Sequence, residues 1–350
     1  MDLQQMTEKF DKIAELGKDD IRFHSVHGSP FRVYGLRYMD GKFRRLPEAV
    51  AKQGHETVLE HHACTAGGRL RFKTDSAYVA IAAKLPNVGR MAHFAMTGSA
   101  GFDLYVKKDG VDKYVCSLRP SFYITDSIVR MFAFDSREMR EITIHFPLYS
   151  EVSELYIGLQ ESASLEAASL YAYEKPVVYY GHSITQGGCA SRPGNAYPSI
   201  LSRRLNVDHV NLGFSGGGRG EQPIADYIAG LDMQVLVMDY DHNAPNAQHL
   251  QDTHERMFLT VREKHPTLPV IMMTSTTMPR FSDNRAKRRE IIYNTYLHAK
   301  ERGDENVFFW DGGQFDTYHD YATVDGSHPN DYGFVVIADL LEPVLKKALS

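Results

Sequence analysis

The sequence Val177-Val178-Tyr179-Tyr180-Gly181-His182-Ser183-Ile184-Thr185-Gln186-Gly187-Gly188 decides the fold that we predict for the second half of the chain. A short apolar run stops at Gly181, a serine follows two residues later, and more glycines come before a predicted helix. This pattern indicates a strand that presents Ser183 on a tight turn. Parallel α/β sheets bind ligands beyond the carboxyl ends of their strands, so a substrate could reach this serine. The alternative is an ordinary turn in which Ser183 caps backbone N–H groups.

The alternation of apolar runs and helical patterns continues to the end of the chain. We predict five strands, Val177–Tyr180, Val207–Leu212, Val235–Tyr240, Val270–Ser275 and Val307–Asp311. The predicted helices are Ala196–Leu205, Gln222–Ala229, Ala247–His265, Asn284–Arg302 and Asp331–Ala348. Strands that each precede a helix indicate a parallel sheet covered on both faces. Right-handed crossovers then favour a doubly wound, flavodoxin-like α/β domain, which we assign to residues 176–350.

The first half of the chain predicts a different architecture. Its candidate strands are Arg69–Thr74, Tyr78–Leu85, Phe102–Lys107, Tyr114–Leu118, Glu141–Phe146 and Leu155–Leu159. Between the third and fourth of them, Lys108-Asp109-Gly110 supplies the Asp-Gly turn chemistry of a hairpin. Many short strands without helical patterns between them indicate a β-sandwich or jelly roll, which we assign to residues 1–172.

Composition and charge narrow the class of protein. The chain has 350 residues, 43% of them hydrophobic, which is enough for two cores and excludes a disordered protein. A formal net charge of -5, with basic residues scattered among acids, makes nucleic acid an improbable partner. Three separated cysteines without a CxxC pair argue against a disulfide scaffold. The N-terminus lacks a signal-peptide core and no stretch has the length of a membrane span, so we expect a soluble, cytoplasmic protein.

Four segments that follow predicted strands would share one rim of the sheet. They are the turn at Ser183, Phe214–Gly220, Asp239–Asn243 and Asp325-Gly326-Ser327-His328. Acyl transfer needs a hydroxyl nucleophile, an imidazole base, a carboxylate that orients the imidazole, and donors for the oxyanion. Each of these roles has a candidate on the rim.

The spacing of the candidates suggests how they would act. Asp325 and His328 are three residues apart, so one turn can set the carboxylate against Nδ1–H of the imidazole and leave Nε2 to take the proton of Ser183. Gly216 offers an unshielded backbone N–H, and Asn243 offers a side-chain amide. Together with the N–H of Ser183, these groups form a predicted oxyanion hole with three donors.

These residues resemble the SGNH, or GDSL-type, hydrolases. Four short blocks of that family occur in order, Gly181-His182-Ser183-Ile184, Gly213-Phe214-Ser215-Gly216, Asp241-His242-Asn243 and Asp325-Gly326-Ser327-His328. The resemblance covers about residues 176–349 and implies a three-layer α/β/α esterase. In it Ser183 is the nucleophile, His328 the base and Asp325 its orienter, while Gly216 and Asn243 are oxyanion donors. No metal or organic cofactor is implied.

The first half carries a second resemblance. Gly101-Phe102-Asp103-Leu104-Tyr105 is similar to the GxDLY signature of a β domain that precedes such hydrolases. The run from Ser183 to Gly194 is similar to the same two-domain subgroup. By this resemblance, we expect esters of carbohydrates as substrates, chiefly O-acetyl groups.

The chain also departs from the family pattern. His182 stands where the GDSL name has aspartate, Asp241 replaces the usual glycine of the third block, and Ala244 replaces its usual aspartate. Gly217 stands where relatives often have asparagine. These differences leave the three predicted catalytic residues intact and bear on the shape of the pocket.

Other interpretations of the sequence remain open at this point. Arg192 and Arg219 are candidates for contact with a substrate oxygen or anion, with a helix-terminal or solvated role as the alternative. Gly216–Gly220 lacks the lysine and the spacing of nucleotide-binding loops. The histidines, particularly His61 with His62 or His242 beside Asp241, lack zinc-site spacing, so we predict no metal. A lipid ester or thioester could replace the acetyl ester, the protein could be a non-catalytic carbohydrate-binding protein, and a homo-oligomer is possible.

Overall fold

The computed structural model describes residues 1–276 and 283–350. In these ranges the strands are β1 (Ile21–Ser25), β2 (Arg32–Tyr34), β3 (Arg37–Met39), β4 (Lys42–Arg44), β5 (Arg69–Thr74), β6 (Tyr78–Lys84), β7 (Phe102–Lys108), β8 (Val111–Leu118), β9 (Ser127–Ala133), β10 (Arg140–His145), β11 (Glu154–Gln160), β12 (Leu165–Glu166), β13 (Val177–Gly181), β14 (His209–Gly213), β15 (Val235–Asp239), β16 (Val270–Met273) and β17 (Val307–Trp310). The α-helices are α1 (Leu3–Lys9), α2 (Glu48–Ala51), α3 (Glu56–His61), α4 (Met96–Ser99), α5 (Ser183–Gln186), α6 (Tyr197–Leu205), α7 (Gln222–Ala229), α8 (Ala247–Lys264), α9 (Asp283–Glu301), α10 (His319–Ala322) and α11 (Asp331–Leu349). Short 3-10 helices cover Ala14–Leu16, Pro193–Asn195, Asp241–Asn243 and Gly312–Thr317.

The chain divides into two compact units, each built from separate segments. The first unit consists of Met1–Arg44, Ala63–Leu170 and Ser191–Gly194. The second consists of Arg45–His62, Tyr171–Ala190 and Asn195–Ser350. The division of the sequence into domains 1–172 and 176–350 stays a prediction. Two short segments differ from it, because Arg45–His62 lies in the second unit and Ser191–Gly194 lies in the first.

The first unit is a sandwich of two antiparallel sheets, as predicted. One sheet has the order β1-β11-β6-β9, and the other has the order β12-β5-β10-β7-β8 with β2 also paired to β5. Alternate residues of β6 enter different clusters, because side chains of a strand point to opposite faces. Val79 and Ile81 join the core between the sheets, whereas Ala80 and Ala82 pack with Met6 of α1.

The predicted hairpin in this unit is confirmed. β7 and β8 pair antiparallel with Lys108 opposite Val111. Asp109 and Gly110 both have positive φ, 53° and 78°. Two successive residues with positive φ are what a tight hairpin turn of the type I′ class requires, and Asp-Gly supplies them.

The second unit contains a five-stranded parallel sheet in the order β14-β13-β15-β16-β17, which is the predicted flavodoxin-like order. Alternate side chains again go to different faces. Val178 and Leu236 join a core with Ile224 of α7 and helices α8 and α9, while Tyr179 packs its ring on Tyr197 of α6. The sheet is thus buried on both faces, which explains why its strands are apolar throughout. No helix in either described range is long and apolar enough to span a membrane.

Residues 45–62, which carry α2 and α3, belong to the core of the second unit. Leu46, Ala51 and Val58 lie in the same buried cluster as Phe214 and Ile224. Burial of a large aliphatic side chain is worth about 1.5 to 3 kcal/mol, so this segment contributes substantially to the stability of that core.

Arg45 connects this segment to the end of a strand. Its buried guanidinium donates to the carbonyl oxygens of Asn211 (3.2 Å) and Gly213, and to that of His61 (2.6 Å). The same group lies over the ring of Phe214, with 4.8 Å between Cζ and the ring centroid. Arg45 therefore supports the carboxyl end of β14, from which the glycine-rich loop of the candidate site departs.

Candidate active site

The serine predicted to be the nucleophile lies at the carboxyl edge of the parallel sheet. β13 ends at Gly181 and α5 begins at Ser183. His182 caps this helix, because its Nδ1 accepts a hydrogen bond from the N–H of Ile184 at 3.1 Å. Ser183 itself is 5% exposed. Since His182 supplies the cap, the hydroxyl of Ser183 is available for another contact.

The structure brings Ser183, His328 and Asp325 together. Ser183 Oγ lies 3.0 Å from His328 Nε2, and His328 Nδ1 lies 2.8 Å from Asp325 Oδ2. With the proton on Nδ1, the imidazole donates to the carboxylate and can accept the hydroxyl proton at Nε2. Both distances are hydrogen-bond distances, and that between Ser183 and His328 is within the range at which a general base acts on its nucleophile.

Asp325 is held as an anion by its own loop. Its Oδ1 accepts hydrogen bonds from the backbone N–H groups of Ser327 (3.0 Å) and His328 (2.7 Å). Partial burial alone would raise the pKa of Asp325, but these donors and the imidazole of His328 lower it to about 2. The carboxylate is therefore charged at any pH at which an imidazole can act as a base.

Two of the predicted oxyanion donors are Gly216 in the glycine-rich loop and Asn243 in the turn after β15. Gly216 has a φ of +68°, a conformation that suits glycine, and its N–H makes no hydrogen bond to a backbone carbonyl of the described residues. Asn243 uses its Nδ2 amide on the carbonyls of Phe214 (3.0 Å) and Gly217. Both hydrogens of this amide are thus engaged with the loop. Arg219 also folds back, donating to the carbonyl of Gly216 at 2.9 and 3.1 Å.

The departure at Gly217 has a steric reason. A Cβ at this position would lie 2.6 Å from Thr57 Oγ1 and 2.8 Å from Val58 Cγ2. Both contacts come from α3, in the segment that sequence analysis assigned to the other domain. The asparagine that relatives often carry at this position would therefore clash with α3.

The departures at His182 and Asp241 are related through a buried charge network. His182 Nε2 lies 3.2 Å from Asp239 Oδ1. The second oxygen of Asp239 accepts hydrogen bonds from Thr185 Oγ1 (2.8 Å) and from the hydroxyl of Tyr197 (3.0 Å). Burial would lower the pKa of His182, but the negative charges of Asp239 and Asp241 raise it above its ordinary value. A histidine replaces the family's aspartate where two other carboxylates are already buried.

Asp241 supports the turn after β15. Its Oδ2 accepts the N–H of Ser275 at 2.9 Å, and its Oδ1 has no donor among the described residues. Burial raises the pKa of Asp241 to about 6. Its backbone carbonyl and that of Ala244 both accept from the buried guanidinium of Arg288, the second at 2.7 Å.

Arg192 belongs to the first unit. Its NH1 lies 2.5 Å from the hydroxyl of Tyr105 and 3.7 Å from Asp103 Oδ2, and its Cζ lies 3.7 Å from the centroid of the Tyr114 ring. Asp103 also accepts the N–H of Gly194 at 2.8 Å. The polar residues of the GxDLY signature thus hold the segment 191–194, which the chain supplies long after the signature itself.

Comparison with known families agrees with these observations. Residues 174–346 match the GDSL-like lipase/acylhydrolase family, and residues 21–165 match GxDLY, the N-terminal domain of SGNH-hydrolase-type esterases. Residues 174–346 are a domain of the GDSL-like lipase/acylhydrolase family. This GDSL-like protein is accordingly a carboxylic ester hydrolase, as its sequence predicted. No curated protein matches its sequence significantly.

Solved structures share its fold. A Bacteroides ovatus protein that is named a GDSL-like lipase is 27% identical, with a TM-score of 0.85 over 94% of this chain and 98% of that one. The salicylyl-acyltransferase SsfX3 from a tetracycline biosynthetic pathway is 19% identical, with a TM-score of 0.77 over the same shares. A family two carbohydrate esterase from Cellvibrio japonicus is 13% identical, with a TM-score of 0.64, again over 94% and 98%. The last two likenesses concern the fold alone.

Sequence reasoning missed several residues that support the site. Arg45 and Thr57 come from far up the chain and belong to no motif, so no sequence signal pointed to them. His242 was different, because it stands between Asp241 and Asn243 within the third block. Its position in a family block was a signal, but the role of its side chain depends on contacts that only the structure shows.

Proposed function

We propose that the protein is a serine esterase that removes a small acyl group, an acetyl group, from a carbohydrate or a related alcohol. Ser183 is the nucleophile, His328 the general base and Asp325 the residue that orients the base. The observation that carries the proposal is the pair of hydrogen-bond distances that join these side chains, 3.0 and 2.8 Å.

The proposed reaction has two halves. Ser183 Oγ attacks the ester carbonyl while His328 Nε2 takes its proton, and the charged imidazole is stabilised by Asp325. His328 then gives this proton to the alcohol oxygen, and the C–O bond to the alcohol breaks. Water attacks the acyl-enzyme in the same way, and the acid and free serine are released.

Backbone and side-chain donors would stabilise the negative oxygen of both tetrahedral intermediates. The N–H groups of Ser183 and Gly216 are the first two donors in this proposal. Asn243 is the third, and it would share with the oxyanion an amide hydrogen that otherwise bonds to Phe214 or Gly217. Loss of one such donor costs on the order of a hundred- to a thousandfold in turnover.

The acetyl and carbohydrate parts of the proposal rest on the resemblance to the two-domain subgroup. The fold likeness to the carbohydrate esterase from Cellvibrio japonicus agrees with them at the level of architecture. Arg192 and Arg219 are not part of the proposed chemistry, since their guanidinium groups contact Tyr105 and the carbonyl of Gly216.

The test uses chromogenic esters from acetate to octanoate, followed by acetylated sugars. We expect activity to fall steeply beyond the shortest acyl chains, and Ser183→Ala to reduce turnover by at least about a thousandfold. Ser25→Ala, which changes an exposed serine on β1, serves as the matched control and should leave turnover unchanged. Activity that survives Ser183→Ala would contradict the proposed nucleophile, whereas a preference for long chains would contradict the acetyl assignment alone.

A further inference from the structure

Ser327, which stands between Asp325 and His328 in the sequence, has a hydrogen-bond partner of its own. Ser327 Oγ lies 3.2 Å from Nε2 of His242, and Nδ1 of the same imidazole lies 3.1 Å from Ser275 Oγ. His242 is in the 3-10 turn Asp241–Asn243 that follows β15, and Ser275 comes two residues after β16. One imidazole thus connects the ends of two strands with the loop that carries Asp325 and His328.

The two ends of this connection differ in how firmly they are held. On the strand side, Ser275 donates its N–H to Asp241, and Arg288 binds the carbonyls of Asp241 and Ala244, so the turn around His242 is fixed. On the other side, the side chain of Asp325 is 35% exposed. Gly326 has a φ of +85° and no atom within 4 Å of where a Cβ would be. The acid–base loop is exposed, whereas the turn that holds its serine is anchored by the buried Asp241 and Arg288.

The charge state of His242 suits a fixed link. Burial lowers its pKa to about 3, and the charges of His182, His328 and Arg288 add to this effect, while Asp239 opposes it. The ring of His182 lies 5.3 Å away. A neutral imidazole donates at one nitrogen and accepts at the other, so it can bond to both serine hydroxyls in a single arrangement. It keeps that arrangement when His328 takes up a proton during turnover.

We propose that His242 is a positioning residue, which fixes the loop of Asp325 and His328 against Ser183 through the hydroxyl of Ser327. The inference rests on the proposed function, because it assigns the purpose of the contact to the reaction of Ser183. His242 takes no proton in the reaction and touches none of the reacting atoms. It acts on the distance between the base and the nucleophile, where a displacement of 1 Å can cost a hundredfold in rate.

The test combines substitutions at both ends of the contact. His242→Phe and Ser327→Ala each remove the bond, and we expect kcat to fall about 10- to 100-fold with KM changed less than twofold. The double variant should be no slower than the slower single variant, because both changes break the same contact. His242→Gln, whose amide can occupy the place of Nε2, should recover more activity than His242→Asn, whose amide can occupy that of Nδ1. His298→Gln, on the exposed face of α9, is the matched control.

A second readout separates this inference from the proposed function. The rate at which a fluorophosphonate labels Ser183 reports the activated serine without any substrate, and labelling should slow in His242→Phe and Ser327→Ala alike. If the wild type is labelled and both variants react at the wild-type rate with wild-type kcat, the positioning role is wrong and the proposed function stands. If the wild type is neither labelled at Ser183 nor active, both fall. Because Ser327 is a small, partly exposed side chain, its variant remains informative even if His242→Phe fails to fold.

Discussion

At the scale of single residues, the side chain of Asp325 accepts hydrogen bonds both from its own loop and from the imidazole of His328. One of its oxygens accepts two backbone N–H groups, and the other faces Nδ1 of His328. An amide at this position can keep the first set of contacts but presents a donor to the Nδ1–H. Oδ2 of Asp325 therefore both orients the imidazole of His328 and stabilises its charged form.

This leads to a prediction for Asp325→Asn. We expect turnover to fall about a thousand- to ten-thousandfold, because the amide favours the wrong tautomer of His328 and cannot stabilise its charged form. Steady-state kinetics with a short-chain ester measure the effect. Glu290→Gln, which changes an exposed carboxylate on α9, is the control, and a variant with near-normal turnover would rule out the orienting role.

Asp241 leads to a prediction about stability and pH. Its pKa is raised from 3.8 to about 6, so the folded protein holds a proton that the unfolded chain has lost at intermediate pH. Its contribution to stability is therefore fully present below about pH 4 and is lost as the pH rises through 6. The shift corresponds to a free-energy change of up to about 3 kcal/mol. Asp241→Asn should remove this part of the pH dependence.

Urea unfolding of the wild type and of Asp241→Asn at pH 4.5 and pH 7 measures this pH dependence of stability. The free energy of unfolding of the wild type should fall more between the two values than that of Asp241→Asn. Asp252→Asn, an exposed change on α8, should behave like the wild type. If Asp241→Asn shows the same decrease as the wild type, the carboxyl is not protonated in the folded protein near pH 5.

At the scale of elements, α3 limits what the loop after β14 can be. Thr57 and Val58 lie where a side chain at residue 217 would go. Gly217→Ala should therefore destabilise the second unit by about 1 to 3 kcal/mol and lower turnover, because the loop that carries Gly216 must move. Thermal unfolding and kinetics measure both effects.

Gly54→Ala provides the matched control for that variant. A Cβ at Gly54 would have its closest neighbour at 3.4 Å, an ordinary contact. We expect this variant to keep its stability to within about 1 kcal/mol and its full turnover. Equal effects of the two substitutions would show that the packing of α3 on the loop is not the cause.

Most of the elements could be predicted because their signals are local. Val177–Gly181 reads as a buried strand from its own side chains, and Asp109-Gly110 reads as a turn from the backbone freedom of those residue types. Ser183, Asp325 and His328 could be found because the ends of parallel strands meet at one edge. The role of His242 could not be predicted, because its partners Ser275 and Ser327 are distant in sequence and their hydroxyls carry no recognisable pattern.

At the scale of the whole molecule, the sequence carried no signal that residues 45–62 pack with the second unit. Residues 45–62 form two short helices, too short for a clear apolar period, and they follow three-residue strands. Their place is decided by Leu46 and Val58, which lie in the same buried cluster as Phe214, a residue distant in sequence. The sequence pattern changes from strands to alternating strands and helices at residues 173–176. The second unit nevertheless includes a segment from far before that point.

This organisation predicts the behaviour of a fragment. A protein of residues 176–350 lacks Arg45 and three buried residues of its core, so we expect it to unfold without a sharp transition in urea. A synthetic peptide of residues 45–62 added in excess should restore cooperative unfolding, because its binding to the folded form stabilises that form. Circular dichroism follows both experiments.

A peptide with Val58→Ala and Arg45→Ala is the control for that rescue. It should restore less, because it lacks one apolar side chain and the guanidinium that binds the end of β14. If the fragment alone unfolds as sharply as the full chain, residues 45–62 are not required for the fold of the second unit.

The interleaved order of the segments has a consequence for how the protein is made. During translation, Arg45–His62 leaves the ribosome long before β13 exists. The first unit likewise lacks one of its segments until Ser191–Gly194 has been made. Its maturation is therefore delayed until part of the second unit has been synthesised. A nascent chain paused before residue 191 should therefore expose apolar surface and depend on chaperones.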